Sequence, residues 1–558
     1  MQRKPIHLPP AAPATMISLA LALAVAAAWP ATPPAPALDR AALAARVRAE
    51  MLHAWRGYER YAWGHDELRP VSRTTRDWYA EPLLMTPVDA LDTLLLMGLD
   101  DEAAKARELI VERLGAGRGV AGPAAGRAAA GEHGARPAAG GAAAFDQDLS
   151  VKTFEITIRM LGGLLSGWQM TGDPRLLRLA DDLGTRLLPA FASPTGMPYT
   201  FVNLRTGKTR GPRSNPAEIG TLLLEFGTLA RATGKQVFYD KAKHAVVELY
   251  RRRSPLGLVG EEIDVETGRW TSRASHVGGG IDSYYEYLLK CWRLFGDADC
   301  GAMWRESVGA LNRYLADDAP TGLWYGQVDM LTGKRTATEF GALHAFFPAV
   351  LALGGDLGRA RRLEASCFKM WNLHGIEPEV VDYRTMAVVE AGYPLRPEIV
   401  ESAYYLRHYT RDPRYLEMGR TFLAGLLAHC RTDAGYTVLK NVVTKEKGDL
   451  MPSYFLAETL KYLYLIFAPD QALDFDQVIF NTEGHPLRRD FKPIRPCSLR
   501  DGGSSSVHGG AGVGSRELEG SPRESRRLRS LGVRVTAAIA PLDGDTVGSA
   551  LKPCGREG

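Results

Sequence analysis

Three carboxylic acids within apolar segments are the residues of this 558-residue chain whose types and spacing best suit chemistry. They are Glu155 in FEITIRMLGGLLS, Asp282 in GGGIDSYYEYLLKCW and Glu398 in LRPEIVESAYYL. Burying a carboxylate among apolar side chains is costly unless a partner or a chemical role compensates for it. We therefore expect three buried helices that point their acids at one centre, an arrangement that could build a glycosidase site. The alternative for each acid alone is an ion pair that holds helices together.

The elements that must position these acids follow a repeat. Apolar helices end at Gly- or Asp-rich turns and a second helix follows, with most turns roughly 55 to 62 residues apart. The turns are MGLDDE, TGDPRL, TGKQVF, FGDADC, GGDLGR, TRDPRY and APDQAL. Gly suits the left-handed helix end, Asp caps the next helix, and Pro174 and Pro413 fit a first helical turn. Seven such units predict an all-α fold, a closed toroid of helical hairpins. An open superhelix is the alternative, and it would expose a long groove instead of inward carboxylates.

The segment after the last helix differs from the repeat. Gln477 to Phe480 alternates like a strand and then meets the polar turn of NTEGHP. A strand at this point could enter the ring and plug it.

Two stretches are expected to flank the helical domain of residues 41–489, and a third is expected to interrupt it as an insert. Residues 1–37 resemble a secretory signal peptide, with Arg3 and Lys4 before an apolar run that ends at Trp29; an uncleaved anchor is the alternative. Residues 115–144 are almost entirely Gly, Ala, Pro and Arg, which predicts a flexible insert. Residues 497–558 read as a disordered tail or as a misassigned reading frame.

Composition narrows the functional classes. The chain is 45% hydrophobic and 24% charged, as globular proteins are, and its net charge of +4 is too small to indicate a nucleic-acid partner. No stable membrane span is expected once the signal peptide is removed. Among six cysteines, Cys291 and Cys300 flank the turn in CWRLFGDADC and could pair, and no Cys/His cluster suggests zinc.

Seven motifs stand in order along the chain. They are YAWGHDELRPVS, VDALDTLLLMGL, FEITIRMLGGLLS, DSYYEYLLK, LRPEIVES, FLAETLKYLYLIF and FNTEGHP. Together they resemble the class I α-mannosidases, glycoside hydrolase family 47, over about residues 41–489. The resemblance implies an (α/α)7 barrel of seven helical hairpins plugged by a C-terminal β-hairpin. It also implies a calcium-dependent, inverting exo-α-1,2-mannosidase that trims high-mannose glycans.

The resemblance assigns roles to the three acids. Glu155 is the candidate general acid, acting through a water, and Glu398 is the candidate general base. Asp282 is the third acid of the catalytic set. An inverting glycosidase needs such an acid and base about 6.5–9.5 Å apart, so that water fits between the base and the sugar.

The resemblance also supplies a binding set. Thr482 in FNTEGHP is the candidate calcium ligand through its hydroxyl and carbonyl oxygens, at the tip of the hairpin. The candidate substrate-binding residues are Arg159, Glu218, Glu379, Arg396, Glu401, Tyr454, Glu458 and Glu483. Tyr454 matches an aromatic that stacks on mannose, although a core aromatic is the alternative.

Departures from the family pattern leave two hypotheses. Gly280 stands where branch-selective members carry a larger residue, and it resembles the degradation-linked branch. The first hypothesis is an exported, monomeric enzyme, secreted or periplasmic, or else in the lumen of the secretory pathway, which acts on high-mannose oligosaccharides or glycoproteins. The second is a mannose-glycan-binding protein on the same fold, with little turnover.

Overall fold

The structure is a computed structural model that describes residues 38–115 and 145–490. The predicted signal peptide, the predicted tail and all but the first residue of the predicted insert lie outside these ranges. Those three assignments therefore stay predictions.

Helices make up most of the described chain. The α-helices are α1 Arg40–Tyr61, α2 Met85–Leu96, α3 Asp100–Gly115, α4 Thr153–Glu155, α5 Gly162–Thr171, α6 Pro174–Leu187, α7 Pro216–Gly220, α8 Leu223–Thr233, α9 Val237–Arg251, α10 Asp282–Phe295, α11 Ala298–Tyr314, α12 Phe347–Leu353, α13 Leu357–Asn372, α14 Glu398–Thr410, α15 Arg414–His429 and α16 Leu460–Phe467. Two π-helical turns, Ile156–Leu161 and Phe455–Thr459, lead into α5 and α16. Within residues 38–115 and 145–490, no helix is both long and apolar enough to span a bilayer.

Short strands fill the longer connections. They are β1 Glu67–Arg69, β2 Thr74–Arg76, β3 Ser150–Lys152, β4 Phe201–Asn203, β5 Thr209–Arg210, β6 Arg213–Ser214, β7 Glu262–Asp264, β8 Arg269–Ser272, β9 Ala274–Ser275, β10 Ala316–Ala319, β11 Gly322–Tyr325, β12 Gln327–Asp329, β13 Arg335–Ala337, β14 Glu339–Gly341, β15 Val380–Asp382, β16 Ala387–Glu390, β17 Arg431–Thr432, β18 Gly435–Tyr436, β19 Leu439–Asn441, β20 Glu446–Lys447, β21 Val478–Phe480 and β22 Pro486–Arg488. All their pairings are antiparallel.

Seven inner and seven outer helices form the barrel. The inner helices α2, α5, α8, α10, α12, α14 and α16 each pack on an outer partner, which is α3, α6, α9, α11, α13, α15 and α1 respectively. The turn that leads into α16 packs on α2 and closes the ring. The predicted (α/α)7 barrel is confirmed.

The seventh pair is not the hairpin that the repeat predicts. Between α16 and residue 490, where the described residues end, the chain makes single 3₁₀ turns at Asp470–Ala472 and Phe475–Gln477 instead of a further α-helix. The first helix, α1, covers α16 instead, and Arg40 Nη2 donates to Ala468 O at 2.6 Å. The prediction of a helix after APDQAL is wrong because the outer position there is already filled from the other end of the domain.

The predicted turn chemistry is present. Gly172, Gly234 and Gly296 end their helices with φ of 72°, 74° and 72°, values that cost glycine little. Asp173 and Asp297 cap the helices that follow by accepting backbone N–H groups of the first turn.

The long connections form a ring of small sheets that an all-α prediction did not include. Strands of successive connections pair with each other in four three-stranded sheets. Five hairpin turns in these connections repeat one pattern, in which an Asn or Asp oxygen accepts N–H groups from two and three residues onward. The five residues are Asn203, Asp264, Asp329, Asp382 and Asn441.

Chain direction places the site at one end of the barrel. Every short Gly/Asp turn follows an inner helix, so these turns share one end, and the strand-bearing connections share the end where inner helices begin. The β21–β22 hairpin leaves the last inner helix at the short-turn end and packs against α10 and α5. It therefore forms the predicted plug, with its tip toward the strand-bearing end.

Candidate active site

A cavity of about 300 Å³ opens at the end where the inner helices begin. The site residues predicted from the sequence that line this cavity are Glu155, Arg159, Glu218, Asp282, Arg396, Glu398, Glu401, Tyr454, Glu458, Thr482 and Glu483. Of the predicted site residues only Glu379 does not line it. The sequence-based selection thus converges on one place from six separate segments of the chain.

The three candidate catalytic acids stand at the beginnings of helical segments. Glu155 ends α4 at the start of a π turn, while Asp282 and Glu398 are the first residues of α10 and α14. Helices α10 and α14 are largely buried, as expected, but the three acids lie at the ends of their segments and not inside them, and all three are only half-buried. The cavity reaches the helix starts, where backbone N–H groups also favour negative charge.

Two π-helical turns contribute to the wall of the cavity. One begins directly after Glu155 and carries Arg159, and the other carries Glu458. Such turns insert an extra residue into a helix and redirect its side chains, and they are frequent at functional sites. The apolar patterns FEITIR and FLAETL did not reveal them.

Arg159 links the acid wall to the hairpin tip. Its Nε donates to Glu155 Oε2 at 3.1 Å, and its Nη1 donates to Glu483. The guanidinium also lies over the rings of Trp78 and Tyr454, 5.3 and 5.6 Å from their centroids. This many contacts give Arg159 a single orientation in the cavity wall.

Glu398 lies beside an arginine that is itself held from behind. Arg396 Nη2 donates to Glu379 Oε1 at 2.6 Å, which explains why Glu379 supports the wall and does not line the cavity. Burial raises the pKa of Glu398 to about 7, although Arg396 opposes the shift. Its Oε2 has no hydrogen-bond partner among the described residues and is free to accept a proton.

Asp282 and Glu218 have partners of different kinds. Asp282 Oδ1 accepts the backbone N–H of Ser283 at 2.7 Å, and burial raises the pKa of Asp282 to about 6 against this bond. Glu218 pairs with Lys152, whose Nζ lies 2.8 Å from Glu218 Oε1. Lys152 is a lining residue that the sequence reasoning missed.

The hairpin tip brings Thr482 among buried carboxyl groups. Asn481 Oδ1 accepts the N–H groups of Glu483 and His485 at 2.9 and 2.8 Å, which fixes the turn around Thr482. Burial raises the pKa values of Glu401 and Glu483 to about 8, in spite of Lys290 and Arg159 respectively.

The same surroundings fit a hard divalent cation. Burial, followed by the neighbouring carboxyls Glu483, Glu398 and Glu401, holds the pKa of Glu458 well above its usual range. An oxygen-rich site with more acids than nearby cations suits such an ion, which prefers carbonyl, hydroxyl, carboxylate and water oxygens. Thr482, through its hydroxyl and carbonyl oxygens, would hold it at the hairpin tip.

A buried ionic network lies beneath the hairpin tip, and sequence reasoning missed it. Lys461 Nζ lies 2.7 Å from Asp92 Oδ1 and donates to Gly484 O at 2.5 Å. His485 Nδ1 donates to Asp92 Oδ2 at 2.7 Å. Burial alone would raise the pKa of Asp92, but Lys461 and His485 hold it at about 2. The sequence did contain a sign of this network, because Asp92 lies inside the apolar run VDALDTLLL and Lys461 lies inside LKYLYLIF.

The barrel thus holds a pocket that is closed at its inner end by the hairpin. Carboxyl groups, two arginines and an aromatic ring line this pocket, a combination typical of a glycoside hydrolase. The family model "Glycosyl hydrolase family 47" matches residues 50–489. Alpha-mannosidase I MNS5 of Arabidopsis thaliana is 36% identical over 472 residues, covering 79% of this chain and 76% of that protein. The ER degradation-enhancing alpha-mannosidase-like protein 2 of Homo sapiens is 35% identical over 492 residues, covering 82% and 79%.

A solved structure agrees with both relatives. The alpha-1,2-mannosidase from Trichoderma reesei superposes with a TM-score of 0.70 at 27% identity, covering 80% of this chain and 99% of that one. The chain belongs to glycosyl hydrolase family 47.

Proposed function

We propose that this chain is an exported, calcium-dependent, inverting exo-α-1,2-mannosidase that removes terminal α-1,2-linked mannose from high-mannose glycans. The observation that carries the proposal is the convergence of Glu155, Asp282, Glu398 and Thr482 on one cavity. The names of the relatives indicate mannose as the sugar, and the name of the Trichoderma enzyme indicates the α-1,2 linkage.

The hydrolysis needs one proton donor and one proton acceptor. Glu398 takes a proton from a water, whose oxygen bonds to the anomeric carbon on the face opposite the leaving group. Glu155 delivers a proton, through a second water, to the glycosidic oxygen as its bond to that carbon breaks. Attack opposite the leaving group inverts the configuration.

The pKa of Glu398, raised to about 7 by burial, suits a general base that works near neutral pH. Asp282 lines the same cavity and has a pKa raised to about 6 by burial, so it joins the catalytic set beside the base. Arg159 keeps Glu155 in place through the bond from Nε.

Calcium bound at Thr482 would coordinate hydroxyl oxygens of the sugar and so orient it. The surrounding residues then do the binding. Glu401, Glu458 and Glu483 face the cavity as acceptors for hydroxyls, and the Tyr454 ring lines the wall while its OH donates to Pro394 O at 2.6 Å.

The shape of the barrel supports action at chain ends. The β21–β22 hairpin fills the barrel from the short-turn end, so a glycan enters from the strand-bearing end only. A pocket that ends at Glu483 and Thr482 accepts a terminal sugar and leaves the rest of the glycan outside.

A second candidate is a mannose-glycan-binding protein with little turnover. The relative whose name is "ER degradation-enhancing alpha-mannosidase-like protein 2" favours it. The catalytic acids in the cavity favour the enzyme. A monomer that is secreted, periplasmic or in the lumen of the secretory pathway fits either candidate, in agreement with the signal-like sequence at residues 1–37.

Release of mannose from α-1,2-linked mannobiose tests the proposal. The purified chain should release mannose with calcium present, and Glu398→Gln should bind the disaccharide without turnover. General-base catalysis is typically worth about 10²- to 10⁴-fold in rate. The matched control is Glu417→Gln, an exposed glutamate on outer helix α15. Binding without any turnover by the unaltered chain would favour the second candidate.

A further inference from the structure

One cluster of reactive side chains lies away from the cavity and takes no part in the proposed hydrolysis. Cys291 near the end of α10 and Cys300 in the first turn of α11 are both fully buried. Both are thiols in the structure, and their Sγ atoms lie 2.6 Å apart. Nonbonded heavy atoms pack best at about 3.5–4.0 Å. The two sulfurs therefore stand closer than separate thiols prefer.

We propose that Cys291 and Cys300 are a modification site, which oxidises to an intrachain disulfide that joins inner helix α10 to outer helix α11. The cross-link does not depend on the substrate or on calcium. It would fix the helix that begins with Asp282 against its outer partner at the opposite end from the cavity.

The turn between the helices positions the two side chains. Gly296 reverses the chain with φ of 72°, and Asp297 caps α11 by accepting the N–H of Cys300 at 2.9 Å. These local interactions bring Cys300 back onto the last turns of α10. Only eight residues separate the two cysteines, so the unfolded chain loses little entropy in joining them.

A soft metal ion is the competing occupant, because Asp297 lies with the two cysteines in one cluster. Lys243 argues against it, since its Nζ lies 2.5 Å from Asp297 Oδ1 and 3.7 Å from Cys300 Sγ. Tyr239 OH also donates to Asp297 Oδ2 at 2.5 Å. Both oxygens of the Asp297 carboxylate thus already accept hydrogen bonds, and the ammonium group of Lys243 lies where a metal cation would bind.

The chemistry is thiol–disulfide exchange with an external disulfide, such as glutathione disulfide or an oxidised dithiol oxidoreductase. One cysteine thiolate attacks that disulfide, forms a mixed disulfide and releases one external thiolate. The second cysteine loses its proton and attacks the bonded cysteine sulfur, which releases the other external thiolate. Two protein thiols are oxidised and one external disulfide is reduced. Because both sulfurs are buried, exchange must precede the packing of α10 on α11.

Peptide mapping tests the cross-link directly. The full chain, made with export to an oxidising compartment, is unfolded in guanidinium with iodoacetamide and no reductant, then cut with trypsin. Cleavage after Lys290, Arg293 and Arg305 puts the cysteines on peptides 291–293 and 294–305. The expected result is one linked species from these two peptides, which separates and becomes alkylatable after reduction.

Cys367 and Cys430 are matched internal controls, because both are also buried thiols. They should be alkylated without reductant. Alkylation of Cys291 and Cys300 in the same unreduced sample would overturn the proposal, as would their linkage to other cysteines. Stoichiometric zinc together with free thiols would overturn it in favour of the metal site.

Thermal stability gives a second readout. Refolding with reductant should lower the Tm of the unaltered chain by roughly 2–8 °C. The double variant Cys291→Ala/Cys300→Ala should show no effect of reductant on its Tm, whereas Cys367→Ala should keep the effect. An unaltered chain whose Tm ignores reductant would contradict the cross-link.

Discussion

Arg159 and Glu155 stand four residues apart on one cavity wall, and Arg159 Nε donates to Glu155 Oε2 at 3.1 Å. The same guanidinium donates to Glu483 at the hairpin tip, 324 residues away in the chain. One side chain therefore ties the candidate acid to the turn that carries the candidate metal ligand.

Arg159→Lys should lower kcat by about 10- to 100-fold, because lysine keeps the charge but cannot bond both carboxylates from one planar group. Steady-state kinetics on α-1,2-mannobiose measure the loss. The control is Arg186→Lys, since Arg186 makes the same four-residue pairing with Asp182 on outer helix α6. Equal rates for both variants would show that the hydrogen bonds from Arg159 to Glu155 and Glu483 have no part in catalysis.

Glu398→Gln should change how stability depends on pH in the calcium-free protein. Burial raises the pKa of Glu398 to about 7, so its folded form favours the neutral acid. The raised pKa therefore contributes to the free energy of unfolding, and this contribution is complete at pH values below the ordinary carboxyl pKa and is lost as pH rises through 7. The Tm of the unaltered chain should therefore fall more between pH 5 and pH 8 than that of the variant. Thermal melts in chelator measure both slopes, and identical slopes would contradict the shifted pKa.

Calcium should be needed for activity more than for folding. A chelator should abolish mannose release while helical circular dichroism stays unchanged, because Thr482 lies on the hairpin tip and not in a helix. Thr482→Val should mimic chelation and remove calcium binding in titration calorimetry. Thr228→Val is the control, since that buried hydroxyl has no hydrogen-bond partner among the described residues. Full activity in chelator would contradict the metal assignment.

Lys461→Met should destabilise the domain by about 3–5 kcal/mol, because it removes the cation at Asp92 Oδ1 and leaves the buried carboxylate with only His485 as a cationic partner. Lys440→Met is the control: Lys440 and Glu446 form an exposed pair at 2.8 Å, which is worth only about 0–1 kcal/mol. Urea unfolding measures both losses. Similar small losses would show that the buried network contributes little to holding the hairpin.

Local sequence patterns predicted the parts of this fold that depend on neighbours in the chain. Gly172 and Gly296 mark helix ends, and the acids Glu398 and Asp282 in apolar segments mark the cavity, because each signal is a local conflict or a local turn requirement. The family resemblance, not a local pattern, placed Glu379 among the substrate-binding residues; in the structure it pairs with Arg396 and does not line the cavity.

Pairings between distant segments were not visible in the sequence. The cover that α1 gives to α16 joins the two ends of the domain, and no local pattern records which helix fills an outer position. The contact of Lys461 with Asp92 likewise spans most of the chain, so each residue alone reads only as a charge in an apolar run.

The configuration of the first sugar released tests the central claim most directly. Proton NMR during the early hydrolysis of α-1,2-mannobiose distinguishes the two anomers before they equilibrate. Glu398 as a base acting through water predicts that β-mannose appears first. If α-mannose appears first, the enzyme retains configuration, and the roles assigned to Glu155 and Glu398 are wrong.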